Sequence, residues 1–99
     1  MIVVRDIFHL KFGKAKDAKA LLGEVSELNK KYGFGKTRFL SDLVTSQSYT
    51  FTMESEWNSL ADWENTLKQG LGAEEFQKWY QKFIPICDTA SREILNIVQ

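Results

Sequence analysis

The sequence has few of the residues that build disulfides, metal sites and charged binding faces. Cys87 is the only cysteine and His9 the only histidine, so an internal disulfide is excluded and no His/Cys metal-ligand spacing is present. The 13 basic and 13 acidic side chains cancel, which argues against nucleic acid as a partner because its binding needs a basic face. No apolar run approaches the roughly 20 residues that span a bilayer, and no signal peptide is evident. These absences predict a cytoplasmic protein without a metal, membrane or nucleic-acid site.

The length and composition indicate one small domain over residues 1–99. A hydrophobic content of 43% is enough for a core, although not for a large one. A chain this short leaves much of its surface in water and often gains stability by association.

The first strand, predicted over residues 2–12, organises the rest of the chain. β-Branched and aromatic residues dominate it, and Gly13 ends it. Because side chains alternate across a strand, its even positions share one face. These positions are Ile2, Val4, Asp6, Phe8, Leu10 and Phe12. Five of them are apolar, so we expect this face to meet the helices and to carry one carboxylate among them.

Helical and strand patterns alternate along the rest of the chain. Apolar residues recur every three or four positions over 14–32, which is typical of an amphipathic helix, and Gly33 and Gly35 are expected to end it. Residues 36–45 and 49–57 predict two strands joined by a polar turn. The stripe predicted for the first helix is Ala18, Leu21, Leu22, Val25, Leu28 and Tyr32.

The last third of the chain predicts two helical segments and a final strand. Ser59 and Asp62 resemble a capping box at the start of the first segment. The stripe of that segment is Leu60, Trp63, Leu67 and Leu71. A further helix starts near Ala73 and should bend or end at Pro85. Its inward residues are expected to be Phe76, Trp79, Tyr80, Phe83, Ile84 and Cys87. Residues 91–98 predict the fourth strand.

This order, β-α-β-β-α-β, is that of the α+β ferredoxin-like fold, with a four-stranded antiparallel sheet and both helical segments on one face. The opposite face of the sheet then has no helical cover. It would carry Val3 and Ile7 beside Arg5 and His9, and Thr50, Thr52 and Glu54 from the third strand. Such a face is too apolar to be ideal in water, and pairing it with a second copy would cover it. We therefore expect a homodimer through the sheet face.

The order of motifs resembles the dimeric α+β barrel superfamily over nearly the whole chain. The segments that carry the resemblance are Lys11-Phe12-Gly13-Lys14, Glu54-Ser55-Glu56-Trp57 running into Leu60-Ala61-Asp62-Trp63, and Ser91-Arg92-Glu93-Ile94. That superfamily includes antibiotic-biosynthesis monooxygenases that need no cofactor, polyketide cyclases, haem-degrading oxygenases and stress-responsive barrel proteins. The resemblance implies a dimer whose two sheets face each other, and a ligand cavity in each subunit between sheet and helices. Haem is disfavoured, since the helix histidine of the haem-degrading members has no counterpart after Trp57.

Asp6 is the candidate catalytic residue. The resemblance places it where cyclases and monooxygenases carry a His or Asn that projects into the cavity, although here the residue is Asp. A carboxylate desolvated on that face would have its charged form disfavoured, as in many general bases and acids. Asp6 would then transfer a proton or orient a ligand. The alternatives are that Asp6 forms an ion pair with Arg38 or Arg92, because buried Asp is almost always paired, or that it lies near a wet opening.

The other candidate site residues are aromatic. We expect Phe8, Tyr49, Phe51, Trp63, Trp79 and Tyr80 to wall a cavity for an apolar or aromatic small molecule, the alternative being that they fill the core. His9, on the opposite face from Asp6, is a weaker catalytic candidate. The resulting hypothesis is a small-molecule-binding barrel that acts as a monooxygenase or cyclase without a cofactor. The alternative is a non-catalytic ligand-binding or stress-type barrel whose cavity its own aromatics fill.

Overall fold

The computed structural model describes residues 1–99 apart from the side chain of Leu71, so the predicted place of Leu71 in an apolar stripe lies outside the described residues. The strands are β1 (Ile2–Leu10), β2 (Thr37–Ser41), β3 (Thr50–Trp57) and β4 (Cys87–Asn96). The helices are α1 (Ala15–Lys31), α2 (Leu60–Leu71) and α3 (Glu74–Phe83), and a short 3-10 helix (Ile84–Ile86) leads into β4.

The four strands form one antiparallel sheet in the order β2-β3-β1-β4. β1 is therefore central, as its apolar sequence requires, and β2 and β4 are the edges. The helix-facing side of β1 carries the buried Val4, Asp6 and Leu10. This topology is that of the ferredoxin-like α+β fold and confirms the fold predicted from the sequence.

Gly33 ends α1 by a Schellman motif. Its φ of 75° is left-handed, and its N–H donates to the carbonyl of Lys30 at 3.4 Å, while the N–H of Phe34 donates to the carbonyl of Asn29 at 2.8 Å. Gly35 has a different role from the predicted one. A Cβ built on Gly35 would lie 2.7 Å from the backbone oxygen of Glu56, so Gly35 lets the chain pass close to β3.

Two shorter helices, α2 and α3, complete the helical layer beside α1. Ser59 caps α2 as predicted, since its Oγ accepts the N–H of Asp62 at 3.2 Å. The predicted inward stripe of α3 is partly wrong. Tyr80 and Ile84 are 56% and 47% exposed because they stand at the margin of the helix face that meets the sheet. Cys87 belongs to β4 and not to the helix, since the turn at Ile84–Ile86, which contains Pro85, ends the helical segment.

β1 and both edge strands differ in extent from the prediction. β1 ends at Leu10, and Phe12 beyond it is 88% exposed, so it is not on the helix-facing side as expected. β2 is shorter because Asp42 turns the chain, its Oδ1 accepting the N–H of Thr50 at 3.2 Å, and Leu43 beyond it is 95% exposed. β4 begins earlier, at Cys87, because polar residues that show no apolar alternation still pair with β1. The pairing shifts by one residue between His9 and Leu10, which is a bulge.

The core consists of two clusters at opposite ends of the sheet. One contains Leu10, Ala18, Leu22, Val25, Phe51, Phe83 and Ile86. The other contains Ile2, Val4 and Trp57, with Phe34 and Trp63 packed against it. Asp6 lies on β1 between Val4 of one cluster and Leu10 of the other. A charged position thus separates the two apolar clusters.

The other face of the sheet carries a row of alternating charges. Cross-strand register aligns Glu93 of β4, Arg5 of β1, Glu54 of β3 and Arg38 of β2. Arg5 donates to Glu54 Oε1 at 2.8 Å and Arg38 donates to Glu54 Oε2 at 2.5 Å. The hydrogen bond from Arg5, and then that from Arg38, hold the pKa of Glu54 below its usual value of 4.5 against the opposing effect of burial.

This pairing predicts a pH-dependent loss of stability on Glu54→Gln. Because the pKa of Glu54 is lowered by folding, its contribution is complete above the usual carboxyl pKa and disappears as pH falls through the lowered value. We expect the variant to lose about 2 kcal/mol of unfolding free energy at pH 7. Urea denaturation from pH 8 to pH 3 should show this difference shrinking below pH 4.5.

Glu56→Gln is the matched control on the same strand and face. The described residues supply no ion-pair partner for Glu56 within 4.0 Å, so its loss should change stability little. A difference for Glu54→Gln that persisted unchanged at pH 3 would contradict the assignment.

Candidate functional site

A cavity of about 520 Å³ lies between the sheet and the three helices. One cross-strand row of the sheet forms its floor. The register places Phe39 of β2 beside Met53 of β3, Met53 beside Asp6 of β1, and Asp6 beside Arg92 of β4, and all four line the cavity. The floor is therefore apolar at one edge of the sheet and charged at the other.

The walls and roof of the cavity are mostly apolar and aromatic. Helix α1 contributes Leu22 and Val25, and the loop after it contributes Phe34. Helices α2 and α3 contribute Trp63, Leu67, Phe76, Trp79 and Tyr80. The indole of Trp79 is fixed, since its Nε1 donates to the carbonyl of Leu21 at 2.7 Å. Aromatic side chains held in this way give a wall of defined shape.

Asp6 is buried and paired. Only 7% of the residue is exposed, and Nε of Arg92 donates to its Oδ1 at 2.5 Å. Of the two partners considered from the sequence, Arg92 is the one observed, because Arg38 lies on the opposite face with Glu54. The carboxylate is therefore compensated in the low-dielectric layer, and a salt bridge rather than an isolated charge borders the cavity.

Arg92 is itself held by an aromatic ring. Its guanidinium carbon lies 5.0 Å from the ring centroid of Trp63, within the range of a cation–π contact. The side chain remains 44% exposed, so it stands where the cavity opens to solvent. Trp63, Arg92 and Asp6 thus form a connected series from the roof to the floor.

Asn29 is a polar cavity residue that the sequence-based prediction missed. It is 3% exposed, and its Nδ2 lies 3.7 Å from Sδ of Met53. The buried positions of α1 are Ala18, Leu22, Val25 and Asn29, spaced four, three and four apart. That spacing was visible in the sequence. Asn29 in α1 therefore resembles Asp6 in β1, because each is a polar residue at a buried position whose neighbours on the same face are apolar.

The predicted ligand-binding aromatics divide into two groups. Phe8, Trp63, Trp79 and Tyr80 line the cavity together with Asp6. Tyr49 and Phe51 lie elsewhere. Phe51 is buried in the core cluster around Leu10, and Tyr49 packs edge-on against Phe12, with ring centroids 5.0 Å apart.

His9 and Cys87 lie away from the cavity. His9 is on the uncovered sheet face, where its Nδ1 is 3.3 Å from Oγ1 of Thr50, so it does not share a site with Asp6. The thiol of Cys87 donates to the carbonyl of Thr89 at 3.2 Å. Burial, and then the charge of Asp88, raise the pKa of the Cys87 thiol, which disfavours the reactive thiolate.

Two other kinds of site have no counterpart among the described residues. They contain no group of three His, Cys, Asp or Glu side chains arranged to hold a metal ion. In the same part of the chain, no helix combines the length and apolar character needed to cross a lipid bilayer.

Comparison with known proteins finds similar structures but no similar sequences. No protein-family model matches the sequence, and no curated protein matches it. A NIPSNAP family protein of unknown function from Agrobacterium tumefaciens matches with a TM-score of 0.88 and 14% identity, covering 96% of this chain and 86% of its own. A NIPSNAP domain protein from Burkholderia xenovorans matches with a TM-score of 0.88 and 10% identity, covering 99% and 95%.

An antibiotic biosynthesis monooxygenase also matches, with a TM-score of 0.78 and 14% identity over 100% of both chains. The fold implied by the resemblance is confirmed by these neighbours. At such identities the likeness establishes a shared ferredoxin-like α+β fold.

Removing Arg92 should expose the cost of burying Asp6 unpaired. We expect Arg92→Met to lower the free energy of unfolding by about 2 kcal/mol, since a buried carboxylate loses its charged partner. In the Asp6→Asn background the same substitution should cost at least 1 kcal/mol less, a coupling of about the size usual for contacting residues. Urea denaturation of the four chains gives this cycle, and an equal cost in both backgrounds would contradict the pairing.

Proposed function

We propose that this protein binds a small apolar or aromatic molecule in the cavity between its sheet and its helices. The observation that carries the proposal is an open, mostly aromatic space that reaches a buried ion pair, Asp6 with Arg92. Ligand pockets commonly combine apolar walls with a few placed polar groups, and a volume of about 520 Å³ lies in their usual range.

The alternative, a barrel whose own aromatics fill the cavity, is less well supported. It requires Trp63, Trp79 and Tyr80 to close the space above Asp6. All three stand at the border of the cavity, as Asp6 does, and the space between them remains. The arrangement therefore favours a bound molecule over a self-filled core.

Binding is testable with 2-naphthol and NMR of the indole N–H groups. We expect the signals of Trp63 and Trp79, which line the cavity, to shift on titration. The backbone amide of Leu43, in the loop after β2, serves as an internal control, because this residue is 95% exposed and lies outside the cavity. Unchanged Trp63 and Trp79 signals at saturating 2-naphthol would contradict the proposal.

A pair of variants on β4 tests where the molecule binds. Ala90 lines the cavity and is the cross-strand neighbour of Phe8. Ala90→Trp should therefore fill the space and weaken ligand binding at least about 10-fold, as the loss of one well-packed group does. Asn96→Trp places the same side chain at the exposed far end of β4, outside the cavity, and should leave binding unchanged.

A second candidate function is a chemical step on the bound molecule, of the monooxygenase or cyclase type and without a cofactor. It is favoured by the match over the full length of both chains to an antibiotic biosynthesis monooxygenase. Asp6 is the residue proposed to take part, by transferring a proton or orienting the substrate, and its pairing with Arg92 gives most support to the orienting role.

Turnover is tested by oxygen uptake and product mass with naphthalene-1,4-diol, corrected for its spontaneous oxidation. We expect Asp6→Asn to lower the catalysed rate at least about 10-fold, as loss of a charged contact to the substrate does. Asp62→Asn, an exposed position on α2, is the matched control. A rate no higher than that of the diol alone would reject the catalytic function and leave binding untouched.

The functional unit is proposed to be a homodimer that joins the uncovered sheet faces. Val3 and Ile7 are only partly buried there, and Leu40 and Leu95 are 40% and 42% exposed. The charged row, Glu93, Arg5, Glu54 and Arg38, is self-complementary. A two-fold axis parallel to the strands, between β1 and β3, would place each charge opposite one of the other sign.

Ile7→Lys should convert the dimer into a monomer, because a lysine ammonium would be buried at the centre of the joined faces. Light scattering should give twice the chain mass of 11.4 kDa for the unaltered protein and 11.4 kDa for the variant. Leu43→Lys, at a 95% exposed loop position, should remain dimeric. A mass of 11.4 kDa for the unaltered protein would contradict the proposal.

A further inference from the structure

The carboxamide oxygen of Asn29 has no hydrogen-bond partner within the part of the chain that the structure describes. The residue is 3% exposed and lines the cavity. An unpartnered buried acceptor is unusual in a folded protein, because it loses its hydrogen bonds to water and gains none in return. The oxygen itself is closed off from solvent, but the residue borders the cavity, so a turn of the carboxamide about χ2 would present it to a hydrogen-bond donor on a ligand.

The position of Asn29 relative to the ion pair defines the polar part of the cavity. Met53 lies 3.7 Å from the Asn29 amide through its Sδ and is also the cross-strand neighbour of Asp6. Two acceptors, the Asn29 carboxamide and the Asp6 carboxylate, therefore border the same methionine. The thioether between them is only a weak acceptor.

The charges around this region favour a neutral ligand group. A cation would meet the guanidinium of Arg92, which already compensates Asp6 at 2.5 Å. An anion would face the carboxylate of Asp6 and the carbonyl dipole of Asn29. A neutral O–H or N–H group suits Asn29 without disturbing the ion pair.

We infer that Asn29 selects ligands that present a neutral hydrogen-bond donor on an otherwise apolar or aromatic body. This inference rests on the proposed binding function and assigns it a specificity-determining residue. The donor bonds to the Asn29 carboxamide oxygen, and the aromatic walls hold the apolar body. A ligand of the same shape that lacks the donor leaves the oxygen unpartnered and binds more weakly.

The test compares 2-naphthol with 2-methoxynaphthalene and 2-methylnaphthalene on the unaltered chain. The methoxy compound keeps the oxygen and removes the donor, and the methyl compound removes both. We expect 2-naphthol to bind about 10-fold more tightly than either, the amount usual for one buried hydrogen bond. The side-chain amide signals of Asn29 should shift with 2-naphthol and move much less with 2-methoxynaphthalene.

Asn29→Leu then assigns the preference to this residue. We expect the variant to lose the preference by weakening 2-naphthol alone, and its melting temperature without ligand to equal or exceed that of the unaltered protein, since an unpartnered oxygen is removed. Asn65→Leu, at an exposed position on α2, should keep the preference. If Asn29→Leu does not fold, the three ligands and the Asn29 amide signals still decide the question.

The outcomes separate this inference from the function on which it rests. Equal binding of all three compounds, or a preference that survives in Asn29→Leu, overturns the role of Asn29 and leaves a binding cavity. Binding of none of them overturns the proposed function and the inference together.

Discussion

The structure depends on one constraint, a carboxylate on the helix-facing side of the central strand. Val4, Phe8 and Leu10 occupy the same face as Asp6, and their burial fixes β1 between its two neighbours. A charge at that depth must be compensated, and Arg92 on the adjacent strand compensates it. Apolar side chains do not close around this pair, so the core divides into two clusters with the cavity between them.

Each face of the sheet has one buried carboxylate that is paired with arginine from a neighbouring strand, but the two pairings leave different groups accessible. Glu54 is held by Arg5 and Arg38 from both neighbouring strands, so its two oxygens are occupied and the face is a closed network. Asp6 is held by Arg92, whose guanidinium also makes a cation–π contact with the ring of Trp63 at the cavity border. The first arrangement occupies both carboxylate oxygens, whereas the second leaves a charged pair at the border of the cavity.

Much of the fold and part of the site could be predicted from the sequence. Alternation in β1 placed Asp6 and Phe8 correctly, because a period of two leaves little ambiguity when one face is apolar. Gly33 marked the end of α1 through its left-handed conformation. The start of β4 could not be predicted, since strand pairing there depends on a partner more than 70 residues away and not on local pattern. The cavity position of Asn29 was available in the helix spacing but was outweighed by the neighbouring apolar Leu28.

The bulge between β1 and β4 bears on how this site can tolerate changes in chain length. From Ile2 to His9 the two strands keep one register, which presents Arg92 to Asp6, and the irregularity comes only afterwards, where Cys87 meets Leu10. A residue inserted into or deleted from the connection at Ile84–Ile86 could be absorbed at that irregularity. The connection from the helices to β4 can therefore gain or lose one residue while Arg92 stays on the same face of the sheet as Asp6.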